Sequence, residues 1–127
     1  MEKQIELFAA VNFTVFGLSH IFQPRVWVDF FIWLRSKGRT GVFVNGFLSL
    51  GFGSLIAALH PVWHGLPLVL TLIGWAQVLK GIVSFVAPQL ALKGLARVSP
   101  ERAWEFVAGG CLALGIAGLQ WHLVFAS

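Results

Sequence analysis

The chain has 127 residues, of which 57% are hydrophobic and 11% charged, with a formal charge of +4 and a mean hydropathy of +0.82. A water-soluble domain carries about 25% charged residues and needs polar surface to cover itself, so the composition argues against a soluble domain and makes lipid the expected solvent. No surface remains for a basic nucleic-acid-binding face, and the single cysteine, Cys111, permits no disulfide within the chain.

The first apolar span is expected from Ile5 to Phe22, closed by Gln23-Pro24. The head of the chain carries one acid and one base, not a positively charged run, and no small-residue cleavage site follows. The span is therefore read as a retained helix and not as a signal peptide. Next comes Arg25 to Arg35, apolar with charges at its ends and Asp29 inside, which reads as a short helix in the headgroup plane, with an ordinary loop as the alternative. The second span is expected from Val42 to Leu59, closed by His60-Pro61, and the third from Leu66 to Ala87, closed by Pro88. Gln89 to Val98, with Lys93 and Arg97, is the second interfacial segment. The fourth span is expected from Trp104 to Phe125. Each span is near the ~20 residues that cross ~30 Å of hydrocarbon. Backbone groups in lipid must be satisfied internally, so the spans are helices. Proline follows three of them because it donates no hydrogen bond and disfavours helix in the residue before it.

The chain also repeats itself at an offset of 64 residues. Gly17 falls on Gly81, Pro24 on Pro88, Gly46 on Gly110, Leu50 on Leu114 and Gly51 on Gly115. These are residues of backbone shape and packing. The fold expected is an all-α integral membrane four-helix bundle in a single domain, made of two tandem hairpins, residues 1–63 and 65–127. Each hairpin has an even number of spans, so both insert the same way up. Their pseudo-two-fold axis then runs along the membrane normal, whereas an inverted repeat requires an odd number of spans. Arg25, Arg35, Lys37 and Arg39 lie in the first connection and Lys93, Arg97 and Arg102 in the third, with no Lys or Arg at 60–65. The positive-inside rule puts the basic connections in the cytoplasm and both termini outside, as expected in a bacterial inner membrane. Trp27, Trp33 and Trp104 then belong to the inner aromatic belt and Trp63 and Trp121 to the outer one, with Trp75 near mid-span.

Several side chains are candidates for function. Lys80 is the costliest residue, a charge inside a span. Gln77, Lys80 and Ser84 share a face, and His20, Asn45 and Glu105 fall in the same half of the membrane. A buried polar cluster is expected there, with Glu105 or Asp29 as counter-charge. The bland alternative is that Lys80 snorkels to the headgroups. Asn45, Ser49 and Gly53, with Gly109, Ala113 and Ala117 at the offset positions, are expected to form helix–helix seams of small residues. His60, His64 and His122 gather at the outer face. They are candidate metal ligands, and His60 and His122 are candidate haem ligands, although interfacial histidines bonded to water are the ordinary reading. Glu6 lies at the outer end of the first span and could titrate during transport. No nucleophile–base pair, glycine-rich phosphate loop or carboxylate dyad is visible.

Phe16-Gly17-Leu18, Phe22-Gln23-Pro24-Arg25-Val26-Trp27 and the run Gly46, Leu48, Gly51 resemble the small two-helix bacterial inner-membrane family typified by YjeT. The second copy keeps Gly81, Pro88, Gly110, Leu112 and Gly115 but has Ala91 where the tryptophan would be. Gly17-Leu18-Ser19-His20 before Pro24 is also similar to the opening of DoxX-like four-helix proteins. The first resemblance implies a tandem fusion of two hairpins with no set activity. The second implies redox-linked roles, for which the cysteine pair of thiol chemistry is absent. A pattern from Thr40 to Gly51 is loosely similar to fluoride channels, without their other polar motifs.

The leading expectation is a non-enzymatic membrane protein without a cofactor. It would act as an accessory or scaffold subunit, or self-associate as a homo-oligomer, through its small-residue seams, with lipid and another membrane protein as partners and no nucleic acid. The rivals are a small transporter or channel built around Asn45, Gln77, Lys80 and His20, and a redox or metal-dependent membrane enzyme.

Overall fold

A computed structural model describes residues 2–126. Among them, six α-helices follow in order: α1 (Glu2–Phe22), α2 (Pro24–Ser36), α3 (Arg39–Leu59), α4 (Leu68–Val86), α5 (Pro88–Leu95) and α6 (Trp104–Phe125). One 3-10 turn, Pro100–Arg102, leads into α6. Helices α1, α3, α4 and α6 are long and apolar enough to cross a membrane, and the apolar side chains they leave uncovered, such as Phe22, Phe47, Val86 and Leu112, are what lipid would solvate. Helices α1 and α3 start earlier than hydropathy suggested, at Glu2 and Arg39; in α1 the added residues Glu2, Lys3 and Gln4 are good helix formers that continue the apolar run outward. Helix α4 starts later: Gly65 at φ 69° turns the chain, and the helix begins only after Pro67.

Three residues that precede a proline share one backbone conformation. Gln23, His60 and Ala87 have φ/ψ of −128/50°, −133/62° and −132/66°. The proline ring pushes its predecessor out of the helical region, yet each predecessor's N–H still closes the last turn, to Ser19 O, Ile56 O and Val83 O. Two of these elbows lead directly into α2 and α5, which have Pro24 and Pro88 in their first turns.

The spanning helices associate as two pairs, α1 with α6 and α3 with α4. Both pairs are antiparallel. In the first, Gly17 faces Gly110, Trp121 Nε1–H donates to Thr14 Oγ1 at 3.0 Å and Lys3 Nζ donates to Leu123 O. In the second, Gly46 faces Ser84 and Gly53 faces Gly74 and Val78. The start of α1, the end of α6 and the α3–α4 connection therefore share one end of the molecule. A core of Ile5, Ala9, Ile56 and Leu70 fills that end, flanked by Phe8, Phe13, Phe52 and Leu59. At the other end α2 and α5 close over the bundle around Leu34, Val42 and Leu95. There Arg35 reaches across to cap α5, its guanidinium donating to Val98 O at 2.8 Å and, more weakly, to Ala96 O and Leu95 O. A cation suits the negative end of a helix.

The seams run one register away from the expected stripe. Gly53, Ser49 and Ala117 are buried as expected, and a Cβ on Gly53 would lie 2.6 Å from Val78 N. Asn45 and Ala113 are only partly buried, and Gly109 is exposed, with nothing within 4 Å of an added Cβ. The residues at the contact are Gly46 and Gly110, where an added Cβ would come within 2.8 Å of Ser84 Cβ and 2.7 Å of Gly17 O respectively. The reason is geometric. At 100° per residue an i, i+4, i+8 stripe drifts by about 80° around the helix, whereas i and i+7 differ by about 20°. Gly46–Gly53 and Gly110–Ala117 keep facing the neighbour; Asn45 and Gly109 rotate away.

Candidate functional site

A cavity of about 590 Å³ opens beside α4, between α2, α3, α5 and α6. Lys80, Asn45, Ser84, Ala91, Gly94 and Leu95 are among its lining residues. A second cavity of about 310 Å³ adjoins it, sharing Gly94, Val98 and Phe106 and adding Arg97, Arg102 and Glu105. The first cavity's lining thus carries the exposed Lys80 and the second's two arginines and a glutamate, amid mostly apolar walls.

The lining has a counterpart in the first half of the chain. Lys80, Ser84, Ala91, Gly94 and Leu95 stand 64 residues after Phe16, His20, Trp27, Phe30 and Phe31. Those five side chains pack as one ring cluster. His20 stacks on Trp27 with centroids 4.2 Å apart, Phe16 meets Trp27 edge-on at 5.9 Å, and Phe30 and Phe31 lie 6.1 and 6.3 Å from the indole. Trp27 Nε1–H donates to Ser19 Oγ at 2.8 Å, which satisfies the indole's polar atom. Position 83, the counterpart of Ser19, is valine. At positions 80, 84, 91, 94 and 95 the side chains are smaller or charged, and they line the cavity.

The expected polar cluster is only partly assembled. Lys80 and Asn45 line the same cavity, and Ser84 does too, its hydroxyl bonded back to Lys80 O at 2.9 Å. Gln77 turns instead toward the α3 seam, its Cβ 2.7 Å from where a Gly53 Cβ would be. His20 belongs to the ring cluster and donates through Nδ1–H to Phe16 O at 2.6 Å. Glu105 pairs with Arg102 at 2.7 Å, a pairing three residues apart in the chain. Asp29 is exposed. Among the described residues no carboxylate lies within ion-pair distance of Lys80.

At the opposite end the three histidines do not gather. His64 and His122 are exposed, whereas His60 is fully buried. Its Nε2 lies 2.8 Å from Glu6 Oε2 and its Nδ1 2.9 Å from Thr71 Oγ1. Both nitrogens are therefore engaged, and the pairing of His60 with His122 around a haem is not what the fold builds. Glu6 and Thr71 are also buried, at 1% and 0% exposure, so the whole triad is removed from water. Glu2, one turn before Glu6, brings its carboxylate close, the three ligand atoms of Glu2, Glu6 and His60 lying within 4.8 Å of one another. Glu6 Oε1 and both side-chain polar atoms of Gln120 are buried without a protein partner. The sequence reading placed Glu6 near an interface and His60 in the headgroups. The available signal was the offset: Glu6 and Gln120 stand where the other half has Leu70 and Ile56, two buried apolar residues of the core.

No protein-family model matches the chain, and neither a curated protein nor a solved structure shows significant similarity to it.

Proposed function

We propose that this is an inner-membrane protein whose cavity binds a membrane-soluble amphiphile with a flat apolar body and an anionic group. The observation that carries the reading is the ring-for-cavity exchange around Lys80. The first half fills the site with its own Trp27; the second places Ala91 there and leaves about 590 Å³, within the range of small-molecule sites. An ammonium inside the bilayer is costly without a counter-charge, and an anionic ligand group supplies one. Arg97, the second cavity's cation that Glu105 does not pair, favours the same sign of charge. Gly17, Gly46, Gly53 and Gly110 pack the chain against itself, so a scaffold role would fall to other faces, such as those of Gly109, Gly115 and Gly118.

The reading includes an internal duplication. The support is contact for contact: Gly110 abuts His20 and Ile21, and Gly46 abuts Ser84 and Phe85; Gly17 abuts Leu114, and Gly81 abuts Leu50. Every member of each second set is offset by 64 from the first.

Binding is tested with 2-naphthoate and protein reconstituted in lipid nanodiscs, by equilibrium dialysis. The wild type should retain the probe and prefer it to neutral 2-naphthylmethanol. Lys80→Met should weaken naphthoate binding about 10-fold, the scale of one charge-assisted hydrogen bond. Ala91→Trp, which restores the first-half residue, should abolish binding. Unchanged binding in both variants would refute the proposal.

The reading also puts the groove on the cytoplasmic side, supported by the basic residues of the α2–α3 and α5–α6 connections. With Cys111 replaced by serine, an impermeant maleimide added to intact cells should label His64→Cys and spare Ser36→Cys. The reverse pattern would invert the orientation.

A further inference from the structure

We propose that Glu2, Glu6 and His60 form a binding site for a divalent transition-metal ion of the zinc class, at the end of the bundle away from the groove. The proposal stands independently of the groove reading. It begins with the hydroxyl of Thr71, which lies 2.6 Å from Val62 O and 3.0 Å from His60 O. Both are carbonyls and only accept, so the single hydroxyl proton goes to one of them. The Thr71 oxygen must then accept from His60 Nδ1–H across their 2.9 Å contact. A neutral imidazole in this tautomer presents the Nε2 lone pair to Glu6 Oε2, 2.8 Å away. Two lone-pair-bearing atoms at that distance require something positive between them, either one proton or a metal ion.

Three further features favour the ion. The N–H of His60 is anchored opposite the free nitrogen, which is how a metal-ligating histidine is held. Glu6 Oε1 is buried without a donor, so the carboxylate is short of positive charge and can bind through either oxygen. Glu2 lies within 4.8 Å on the exposed first turn of α1 and gives the site a third ligand and a route from water. Bonds of about 2.0–2.2 Å place the ligand atoms of a tetrahedral zinc roughly 3.3 Å apart. The His60–Glu6 contact would open by about half an ångström and Glu2 would close in by a rotamer change. One imidazole with two carboxylates suits zinc-class ions, whereas magnesium and calcium prefer oxygen ligands throughout.

The experiment is metal content by mass spectrometry on detergent-purified full-length protein, stripped with chelator and then dialysed against Zn²⁺. One zinc per chain is expected, not displaced by excess Mg²⁺. Glu2→Gln, at an exposed position that leaves the core untouched, should weaken zinc binding at least 10-fold. Thr71→Val, which frees the imidazole without removing a ligand, should also weaken it 10-fold or more. His64→Gln and His122→Gln should bind as the wild type does. Absence of zinc uptake by the wild type, or full affinity in Glu2→Gln, would overturn the site.

Discussion

Gly110→Leu should unfold the protein in detergent well below the wild type, and Gly109→Leu, one residue earlier, should barely move the transition. A Cβ on Gly110 would meet Gly17 O at 2.7 Å, Ile21 Cγ1 at 2.8 Å and His20 Cβ at 3.0 Å, whereas at Gly109 nothing lies within 4 Å. The first of those contacts is backbone and cannot rotate aside. Leucine there must push α1 and α6 apart along their whole seam. Overpacking of this kind costs about 1–3 kcal/mol, occasionally more, and lipid offers little hydrophobic force to restore a loosened seam. Gly41→Ala is the sharper version at the α2–α3 turn, where the added carbon would lie 1.8 Å from Leu34 O. Thermal melts followed by tryptophan fluorescence separate these variants. Equal transitions for Gly109→Leu and Gly110→Leu would refute the seam.

The second large effect concerns the buried pair. His60→Val should destabilise by about 3–5 kcal/mol, because it leaves the Glu6 carboxylate buried and alone. Glu6→Leu should cost less, about 1–3 kcal/mol, since the imidazole keeps its Nδ1–H bond to Thr71 and loses only the contact across the shared proton. Glu6→Leu with His60→Val together should recover most of the loss. That double variant writes into this site the residues at its offset counterparts, Leu70 and Val124, and Thr71 keeps its bond to Val62 O. Replacing a whole buried ion pair by apolar side chains is often neutral, whereas breaking one is not. Melting of the two single variants and the double variant closes the thermodynamic cycle, measured in chelator so that metal does not contribute. Additive losses would show that Glu6 and His60 are not energetically coupled.

The spans and their ends were legible in the sequence because hydropathy and proline act locally: Pro24, Pro61 and Pro88 each end a helix where expected. The groove was half legible. The loss of the tryptophan at Ala91 is visible at the offset, but that His20, Phe30 and Phe31 join Trp27 depends on how α2 folds back over the bundle. The partners of Lys80 were misjudged because equal depth in the membrane says nothing about rotation around a helix: Gln77 and Glu105 share its level and point elsewhere. The seam slipped by one residue for the same reason. The Glu6–His60 contact spans 54 positions in the chain, and no local pattern announces a contact made by the pairing of separate helices.

Each seam joins one half of the chain to the other, α1 to α6 and α3 to α4. Neither half closes a seam with its own two long helices. Two identical hairpins on separate chains would have to interlock, and every site would then exist twice, once on each side of the axis. A single continuous chain is free of that symmetry. Under the proposed duplication, it can keep rings at one location and a lysine at the other, and a carboxylate opposite an imidazole at one end where the related location stays apolar. The covalent link also holds the two halves at an effective concentration set by the short 60–67 connection, so assembly does not depend on how much of the protein the membrane contains.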